Sequence, residues 1–236
     1  MRPITVTYEE IPEKIFDYYK KIENESKKWA TWRTLSEQDL WDNLYFCILS
    51  SNVTYELAMS AFSHLANEGL LNVNWIITDK HSKEEIYSEL SKPQFLPLKK
   101  DGSYRKYRFP NCRADNIVST TYNMNELKIS LKKTLASHRD ETELRNYIRN
   151  NVYGFGLKQT THYLRNIGYS QNLAIIDTHI IKFLNTVLFP KYRFETNLTN
   201  NKYLEYEQIF RNICENLNVK ISLFDVAVWK FMRETG

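Results

Sequence analysis

The chain has 236 residues and a formal net charge of +4, with 42% hydrophobic residues, 25% charged residues, six glycines and six prolines. This length is sufficient for a large buried core, and the composition excludes disordered, collagen-like and low-complexity proteins. The net charge is too small to imply an anionic partner by itself.

The cysteines and the N-terminus together indicate the compartment. Cys47, Cys112 and Cys214 are dispersed and odd in number, which argues against a disulfide framework, a cysteine-rich zinc site and a four-cysteine iron–sulfur cluster. The opening residues Met1-Arg2-Pro3 lead into an acidic stretch without an apolar core, and no segment reaches the roughly 20 apolar residues of a membrane helix. We therefore expect an intracellular protein without a secretory signal.

Hydrophobic periodicity predicts helices along most of the chain, and no strand ladder is apparent. The first predicted helix has apolar positions from Ile11 to Ile22, and the second begins at a capping box, Ser36-x-x-Asp39, and forms the central core. Thr54 caps the third helix and Gly69 follows its end. Further helices are predicted at about 83–90, 113–122, 124–136, 140–150, 157–167, 178–188, 202–217 and 222–233.

One long segment, Ser91 to Pro110, is predicted to be irregular because it contains Pro93, Pro97 and a Lys-Lys-Asp-Gly turn signal. From Ser91 to Arg113 the chain carries seven basic residues and one acid, a local balance of +6, so the rest of the chain is slightly acidic. A loop of this length is typically functional or mobile, although a solvated connection fits equally well.

The most informative pattern is a glycine hairpin between two helices. Residues 152–156 read Val-Tyr-Gly-Phe-Gly, and a helix with Leu164 and Ile167 facing inward follows. Gly154 and Gly156 permit a tight turn and a close approach of another backbone, and the free amides at the start of the next helix favour an anion such as phosphate. A plain helix–helix turn is the other interpretation.

Two charged residues extend this pattern. Lys158 lies in the first turn of the helix after the hairpin, where its charge opposes the helix dipole, so stability does not explain it. Asp177 follows an apolar run, residues 173–176, and precedes a helical segment, which is a position suited to an N-cap. A solvated lysine and a purely structural cap are the alternatives.

The hairpin, Lys158 and Asp177 together resemble the helix-hairpin-helix superfamily of DNA glycosylases. In its bifunctional members the lysine at this position is the nucleophile and the aspartate at the later helix start is its catalytic partner. The resemblance therefore implies that Lys158 and Asp177 are catalytic, and that the protein has combined glycosylase and lyase activity.

Residues 46–52 look like the segment of this superfamily in which a central helix ends at a polar turn that reaches into the DNA. Residues 107–114 and 228–232 look most like the compact archaeal-type 8-oxoguanine DNA glycosylase. The resemblance implies an all-α fold of two packed helical lobes with the active site in the cleft between them. We expect one lobe to contain residues of about 1–35 and 190–236 plus part of the middle, and the hairpin lobe to span about 110–189, within one unit over residues 1–236. One cleft suffices for one flipped base, so a monomer is expected.

The substrate implied by the resemblance is double-stranded DNA with an oxidised purine. A base inside a duplex must be flipped out before its sugar carbon can be attacked, so aromatic pocket walls are expected. The resemblance implies Phe109 and Trp229 as these walls, although core aromatic residues fit both positions. Asn52 and Arg113 are expected to contact the orphaned partner base or its backbone.

The basic loop from Lys99 to Arg108 is expected to follow phosphates, with Arg108 as a DNA contact and a salt-dependent affinity. The chemistry needs no metal or organic cofactor, and the resemblance leaves room for a monovalent cation on the hairpin carbonyls. His162 and His179 lack metal-ligand spacing, so no metal site is expected. Two alternatives stay open: the same chemistry on another damaged base, and a non-catalytic helix-hairpin-helix DNA-binding module.

Overall fold

A computed structural model describes residues 6–235 of the chain. These residues are built from helices and contain no strand, apart from one antiparallel bridge between Phe95 and Arg105, which confirms the predicted all-α class. Met1-Arg2-Pro3, on which the signal prediction partly depends, lies outside the described residues. Within the described range, no helix is long and apolar enough to cross a membrane.

The α-helices of the described residues follow one another in this order along the chain. They are α1 (Glu13–Ser26), α2 (Glu37–Leu49), α3 (Tyr55–Asn67), α4 (Val73–Thr78), α5 (Ser82–Ser91), α6 (Pro110–Glu126), α7 (Leu131–Ser137), α8 (Glu141–Asn151), α9 (Leu157–Asn166), α10 (Thr178–Phe183), α11 (Asn200–Asn216) and α12 (Ile221–Thr235). A short 3-10 helix at Tyr8–Glu10 precedes α1, and a π-helical turn at Leu184–Leu188 continues α10.

The chain divides into two compact units. The terminal unit contains the described residues up to Thr31 and from Gly168 onward, and the hairpin unit is Trp32–Ile167. These bounds differ from the expected lobes, because residues 32–109 belong to the hairpin unit and residues 168–189 to the terminal unit. The first difference arises because α2 packs on α6 and α9, and the second because α10 packs on α12.

Helix α2 forms the centre of the hairpin unit. Its capping box is as predicted: the Ser36 hydroxyl accepts from the Asp39 amide at 3.1 Å, and the Asp39 carboxylate accepts from the Ser36 amide at 2.8 Å. Leu40, Leu44 and Leu49 are fully buried, and α2 packs against α3, α6, α7 and α9. The predicted central-core role of this helix is confirmed.

Helix α12 has the same role in the terminal unit. It packs against α1, α10 and α11. Phe224 of α12 is fully buried, and its ring lies 5.9 Å from the ring of Phe210 in α11 and 6.3 Å from that of Tyr19 in α1. Aromatic packing around one helix therefore joins the two ends of the sequence in a single core.

The segment between α5 and α6 contains no helix or strand, which confirms the prediction of an irregular segment, and it folds back on itself at one antiparallel bridge. The amides and carbonyls of Phe95 and Arg105 exchange two hydrogen bonds of 3.0 Å, and the Lys99 amide donates to the Ser103 carbonyl at 2.8 Å. Gly102 takes a φ of +80° in the turn, and Phe95 is fully buried. We call residues 95–108 the basic arm.

Candidate active site

The predicted glycine hairpin joins α8 to α9 in the hairpin unit. Gly154 has a φ of +79°, a conformation that side-chain-bearing residues rarely adopt. A Cβ added to Gly154 would lie 2.2 Å from Nδ2 of Asn116 in α6. Both backbone geometry and lack of space therefore require glycine at this position.

Helix α6 supports the hairpin at three points. Asn116 contacts the Gly154 backbone, the Tyr153 amide donates to Oγ1 of Thr120 at 3.0 Å, and the Asn123 amide group donates to the Asn151 carbonyl at 3.1 Å. Thr120 is fully buried. The hairpin is thus fixed on one helix rather than free to move as a loop.

Gly156 is exposed and serves as the N-cap residue of α9, with an extended backbone and no capping side chain. Its carbonyl accepts from both the amide and the hydroxyl of Thr160, at 3.1 and 2.8 Å. A Cβ added to Gly156 would meet nothing within 4 Å. The first amides of α9 therefore remain uncapped, at the positive end of the helix dipole.

Lys158 is the second residue of α9 and is half-buried. Its ammonium group forms no hydrogen bond or ion pair with any described residue. His162, one turn further along α9, has its pKa lowered to about 3, mainly by desolvation and also by the charges of Arg165 and Lys158. The imidazole is therefore neutral, and its ring packs edge-on against Phe46 at 6.1 Å.

Asp177 lies in the terminal unit and caps α10. Its Oδ1 accepts from the amides of His179 and Ile180, both at 2.9 Å. Its Oδ2 accepts no hydrogen bond from the described residues. One carboxylate oxygen thus fixes the side chain, and the second remains available to interact with positive charge.

The segment leading to Asp177 is buried and held by side chains of α11 and α12. The Tyr203 hydroxyl donates to the Ala174 carbonyl at 2.9 Å and accepts from the Ile176 amide at 3.2 Å. Between them, the Ile175 amide donates to Oδ2 of the buried Asp225 at 3.1 Å. Three hydrogen bonds therefore fix the backbone directly before Asp177.

Trp229 of α12 is half-buried and lies close in the fold to Asp177. Its ring packs edge-on against His179 at 6.3 Å, and the Arg233 guanidinium lies 4.6 Å from its centre. His179 is the residue whose amide binds Asp177. The terminal unit thus brings together the predicted catalytic carboxylate and one predicted pocket wall.

The polar turn after α2 is supported in the hairpin unit. Asn52 is exposed at its tip with a φ of 60°. The Tyr107 hydroxyl donates to the Leu49 carbonyl at 2.5 Å, and Nη2 of Arg113 donates to the Ser51 carbonyl at 2.9 Å. Burial raises the pKa of Tyr107 to about 12, so the phenol remains a donor.

Arg113 has a different environment from the one expected of a DNA contact. Only 6% of its surface is exposed, its guanidinium is bound to the Ser51 carbonyl, and its Nε has no partner among the described residues. Arg108 is exposed, and both guanidinium groups stack on half-buried Phe109, at 4.9 and 5.6 Å. We therefore revise the prediction: Arg113 positions the Asn52 turn, and Arg108 remains the accessible cation.

Comparison with known proteins decides the family. Residues 22–219 match the family described as 8-oxoguanine DNA glycosylase, helix-hairpin-helix type. The match covers most of the chain, including the hairpin, Lys158 and Asp177. The protein belongs to the 8-oxoguanine DNA glycosylase family.

Relatives within this family span nearly the same length. The chain is 31% identical to the 8-oxoguanine DNA glycosylase/AP lyase of Sulfurisphaera tokodaii and 30% identical to that of Sulfolobus acidocaldarius, in each case over 85% of both proteins. Among solved structures, the 8-oxoguanine glycosylase/lyase of Methanocaldococcus jannaschii, in complex with DNA containing 8-oxoguanine, has a TM-score of 0.71 and 25% identity. That match covers 93% of this chain and 95% of the other.

Several supporting residues of this glycosylase were missed in the sequence. Tyr107, Asn116, Thr120, Tyr203 and Asp225 act through contacts between residues far apart in the chain. The family resemblance pointed only to Tyr107, since Tyr107 is the first residue of the segment 107–114 that resembles the family. A buried aspartate within an otherwise apolar helix was a second signal, because Asp225 interrupts the apolar run of α12.

The two hairpin glycines are expected to respond differently to a side chain. Gly154→Ala should lower the free energy of unfolding by about 1–3 kcal/mol, because it forces a left-handed residue against Asn116. Gly156→Ser should leave the free energy of unfolding unchanged or higher, because serine is a good N-cap residue. It should weaken DNA binding, because the added side chain lies where a phosphate would approach the amides of α9. Denaturant unfolding measures the stability of each variant, and DNA titration measures its affinity. Equal DNA affinity in Gly156→Ser would exclude phosphate binding by these amides.

Tyr203→Phe tests the support of Asp177. The change leaves two buried backbone groups without a partner and should cost about 1–3 kcal/mol of stability. It should also slow single-turnover base excision, by up to about 10²-fold, because small displacements of a catalytic group are costly. DNA affinity should be unchanged. An unchanged excision rate in a destabilised variant would mean that Tyr203 is purely structural.

Proposed function

We propose that the protein excises 8-oxoguanine from duplex DNA and then cleaves the strand at the resulting site. The observation that carries this proposal is an unpaired lysine, Lys158, directly after the helix-hairpin-helix turn in a chain of this family. The archaeal relatives are 8-oxoguanine glycosylase/AP lyases, and one of them is solved with DNA containing 8-oxoguanine. The protein acts inside the cell, where its DNA substrate is found.

In the proposed reaction Lys158 is the nucleophile. Its neutral amine attacks C1′ of the deoxyribose, the C1′–N9 bond breaks, and the base leaves with the bonding electron pair and takes up a proton. The lysine nitrogen loses a proton, the C1′–O4′ bond breaks as O4′ takes up a proton, and the nitrogen lone pair forms a C=N bond, which leaves an iminium between Lys158 and C1′. Loss of a proton from C2′ then expels the 3′ phosphate as the C3′–O bond breaks. Water hydrolyses the iminium and releases the lysine.

Asp177 stabilises the positive charge that develops on the sugar as the base leaves. Its Oδ1 is held by two backbone amides, so the carboxylate needs little reorganisation when that charge appears. Oδ2 is the oxygen that would interact with the sugar or move a proton.

The remaining predicted residues recognise the DNA. Phe109 of the hairpin unit and Trp229 of the terminal unit are each assigned to stacking on a base, and Asn52 to the gap left in the duplex. Both aromatic rings are half-buried and stacked with arginine, so one part of each ring is fixed and another is accessible. The Gly156 end of α9 holds a phosphate.

No metal or organic cofactor takes part in the proposed steps. A monovalent cation at the hairpin would supply a positive charge for a DNA phosphate. The Gly156 carbonyl already accepts two hydrogen bonds and the Val152 carbonyl accepts one, whereas those of Tyr153, Gly154 and Phe155 accept none from the described residues. These three carbonyls, whose oxygens are of the type that a hard cation prefers, are the ones that would hold it. We propose a monomer, since one flipped base needs one site.

The direct test measures base release and strand cleavage on duplexes with one 8-oxoguanine opposite cytosine. Undamaged guanine, an oxidised pyrimidine, an alkylated purine and an abasic site serve as parallel substrates. Excision of 8-oxoguanine with strand cleavage is expected. Cleavage of the abasic duplex together with excision of a different base would support the lyase activity and show that the substrate is another damaged base. DNA binding without any cleavage would instead support the non-catalytic module.

A further inference from the structure

The segment 91–113, which contains the basic arm, carries cations whose side chains either bind protein acceptors or form no such contact with the described residues. In the segment 91–113, three of the seven basic residues bind protein acceptors. Lys92 pairs with Glu89, Arg105 donates to the carbonyls of Pro97 and Leu98, and Arg113 donates to that of Ser51. These three side chains are therefore occupied by contacts within the protein.

The other four cations are Lys99, Lys100, Lys106 and Arg108. All four are exposed, and none forms a hydrogen bond or ion pair with a described residue. Arg108 stacks on Phe109 and the three lysines extend from the arm. Asp101 is the one acid among them, and its carboxylate binds the amide and hydroxyl of Ser103 at 2.9 and 2.7 Å. The arm therefore presents four cations against one turn-bound carboxylate.

The arm is braced rather than loose. Buried Phe95 packs edge-on against His64 at 5.7 Å, and the Leu96 amide donates to Oγ of Ser60 at 3.0 Å, so α3 supports the beginning of the arm. Arg105 fixes the turn by binding the Pro97 carbonyl at 2.7 Å. Because the backbone of the arm is held, only the side chains of its cations lose freedom on binding a phosphate.

The arm continues directly into the end of α6 that organises the candidate site. Within the first seven residues of α6, Arg113 holds the Asn52 turn and Asn116 contacts the Gly154 backbone. The free cations of the arm, the polar turn and the glycine hairpin are therefore attached to one helix end, in the same unit.

We propose that the basic arm is a second DNA-binding element, which binds backbone phosphates of the duplex outside the flipped nucleotide through Lys99, Lys100, Lys106 and Arg108. This inference rests on the proposed function for the identity of the duplex. Phosphate contacts carry no sequence information, so the arm adds equal affinity for damaged and undamaged DNA. It raises the dependence of binding on salt, because each neutralised phosphate releases counterions.

The test compares two double variants of the hairpin unit. Lys99→Gln with Lys100→Gln removes two free cations, and Lys83→Gln with Lys92→Gln removes two cations that are ion-paired with Asp115 and Glu89. The slope of log affinity against log salt is expected to become shallower by about 2 in the first variant, since each phosphate contact contributes about 0.9. It should stay at the wild-type value in the second.

Binding is measured on duplexes with 8-oxoguanine and with undamaged guanine, and excision is measured at saturating protein and low salt. The arm variant should lose affinity equally on both duplexes and excise at the wild-type rate once saturated. Equal slopes in the arm variant and wild type, or equal loss in both double variants, would overturn the arm proposal while wild-type excision still supports the glycosylase. A shallower salt dependence in the arm variant, with no excision by the wild type or by any variant, would support the arm proposal and refute the proposed function.

Discussion

Replacement of Lys158 by glutamine is expected to lower strand cleavage at 8-oxoguanine by at least roughly 10³-fold, the scale on which removal of a covalent nucleophile acts. Glutamine has no amine that can form a C=N bond, so elimination of the 3′ phosphate loses its route. DNA binding should be retained, because the hairpin amides and the basic arm are unchanged. Borohydride should trap no adduct in this variant.

Stability provides an independent check on the same variant. The ammonium group lies in the first turn of α9 with no partner among the described residues, where it opposes the helix dipole. Its removal should raise the free energy of unfolding by about 0.3–1 kcal/mol. Lys133→Gln, an exposed lysine of α7 in the same unit, is the matched control and should keep full activity. Equal cleavage by Lys158→Gln and wild type would remove Lys158 from the mechanism.

Replacement of Asp177 by asparagine is expected to slow base excision by about 10²–10³-fold, which is about 2.7–4 kcal/mol of transition-state stabilisation. Asparagine caps helices as well as aspartate, so its side-chain oxygen can still accept from the amides of His179 and Ile180. The fold should therefore be preserved while the negative charge is lost. Single-turnover excision and thermal unfolding measure the two effects separately.

Asp140→Asn is a matched control for this change. Asp140 caps α8 by accepting from the Glu143 amide at 2.7 Å, so the two variants make the same substitution at the same kind of position. Only Asp177→Asn should lose activity. If both variants keep wild-type excision rates, Asp177 is a structural cap and another group stabilises the sugar.

The sequence predicted the elements whose signals are local. Ser36, Thr54 and Gly69 mark helix ends as predicted, and the Gly69 amide donates to the Ala66 carbonyl with a φ of +75°. The hairpin glycines were found for the same reason, since Gly154 occupies a conformation that few other residues adopt. Where the local backbone conformation requires a particular residue type, that residue type predicts the conformation.

Other boundaries were wrong where an unusual residue made the turn. A helix was predicted over 124–136, but α6 continues to Glu126 and α7 begins at Leu131. Lys128 ends α6 with a φ of 53°, and the Ile129 amide donates to the Met124 carbonyl at 2.8 Å in a Schellman arrangement. Lysine rarely adopts this conformation, so the sequence carried no signal for it. The short helix α4 was also missed.

The sequence predicted the reacting groups of the candidate site but not the side chains that hold those groups in position. Resemblance pointed to Lys158 and Asp177, but the side chains that position them act across long sequence separations. Arg113 shows the consequence: its neighbours suggested a DNA contact, whereas burial and the Ser51 carbonyl make it a support for Asn52. Burial and partners of a side chain depend on tertiary packing, which local patterns do not encode.

The central claim is that Lys158 becomes covalently attached to the sugar from which 8-oxoguanine is released. The most direct measurement is borohydride trapping of the wild-type protein on a duplex with one 8-oxoguanine opposite cytosine, followed by protease digestion and mass spectrometry of the DNA-linked peptide. We expect a single adduct on Lys158, absent with undamaged guanine. An adduct on any other lysine, or none on the 8-oxoguanine duplex, would contradict it.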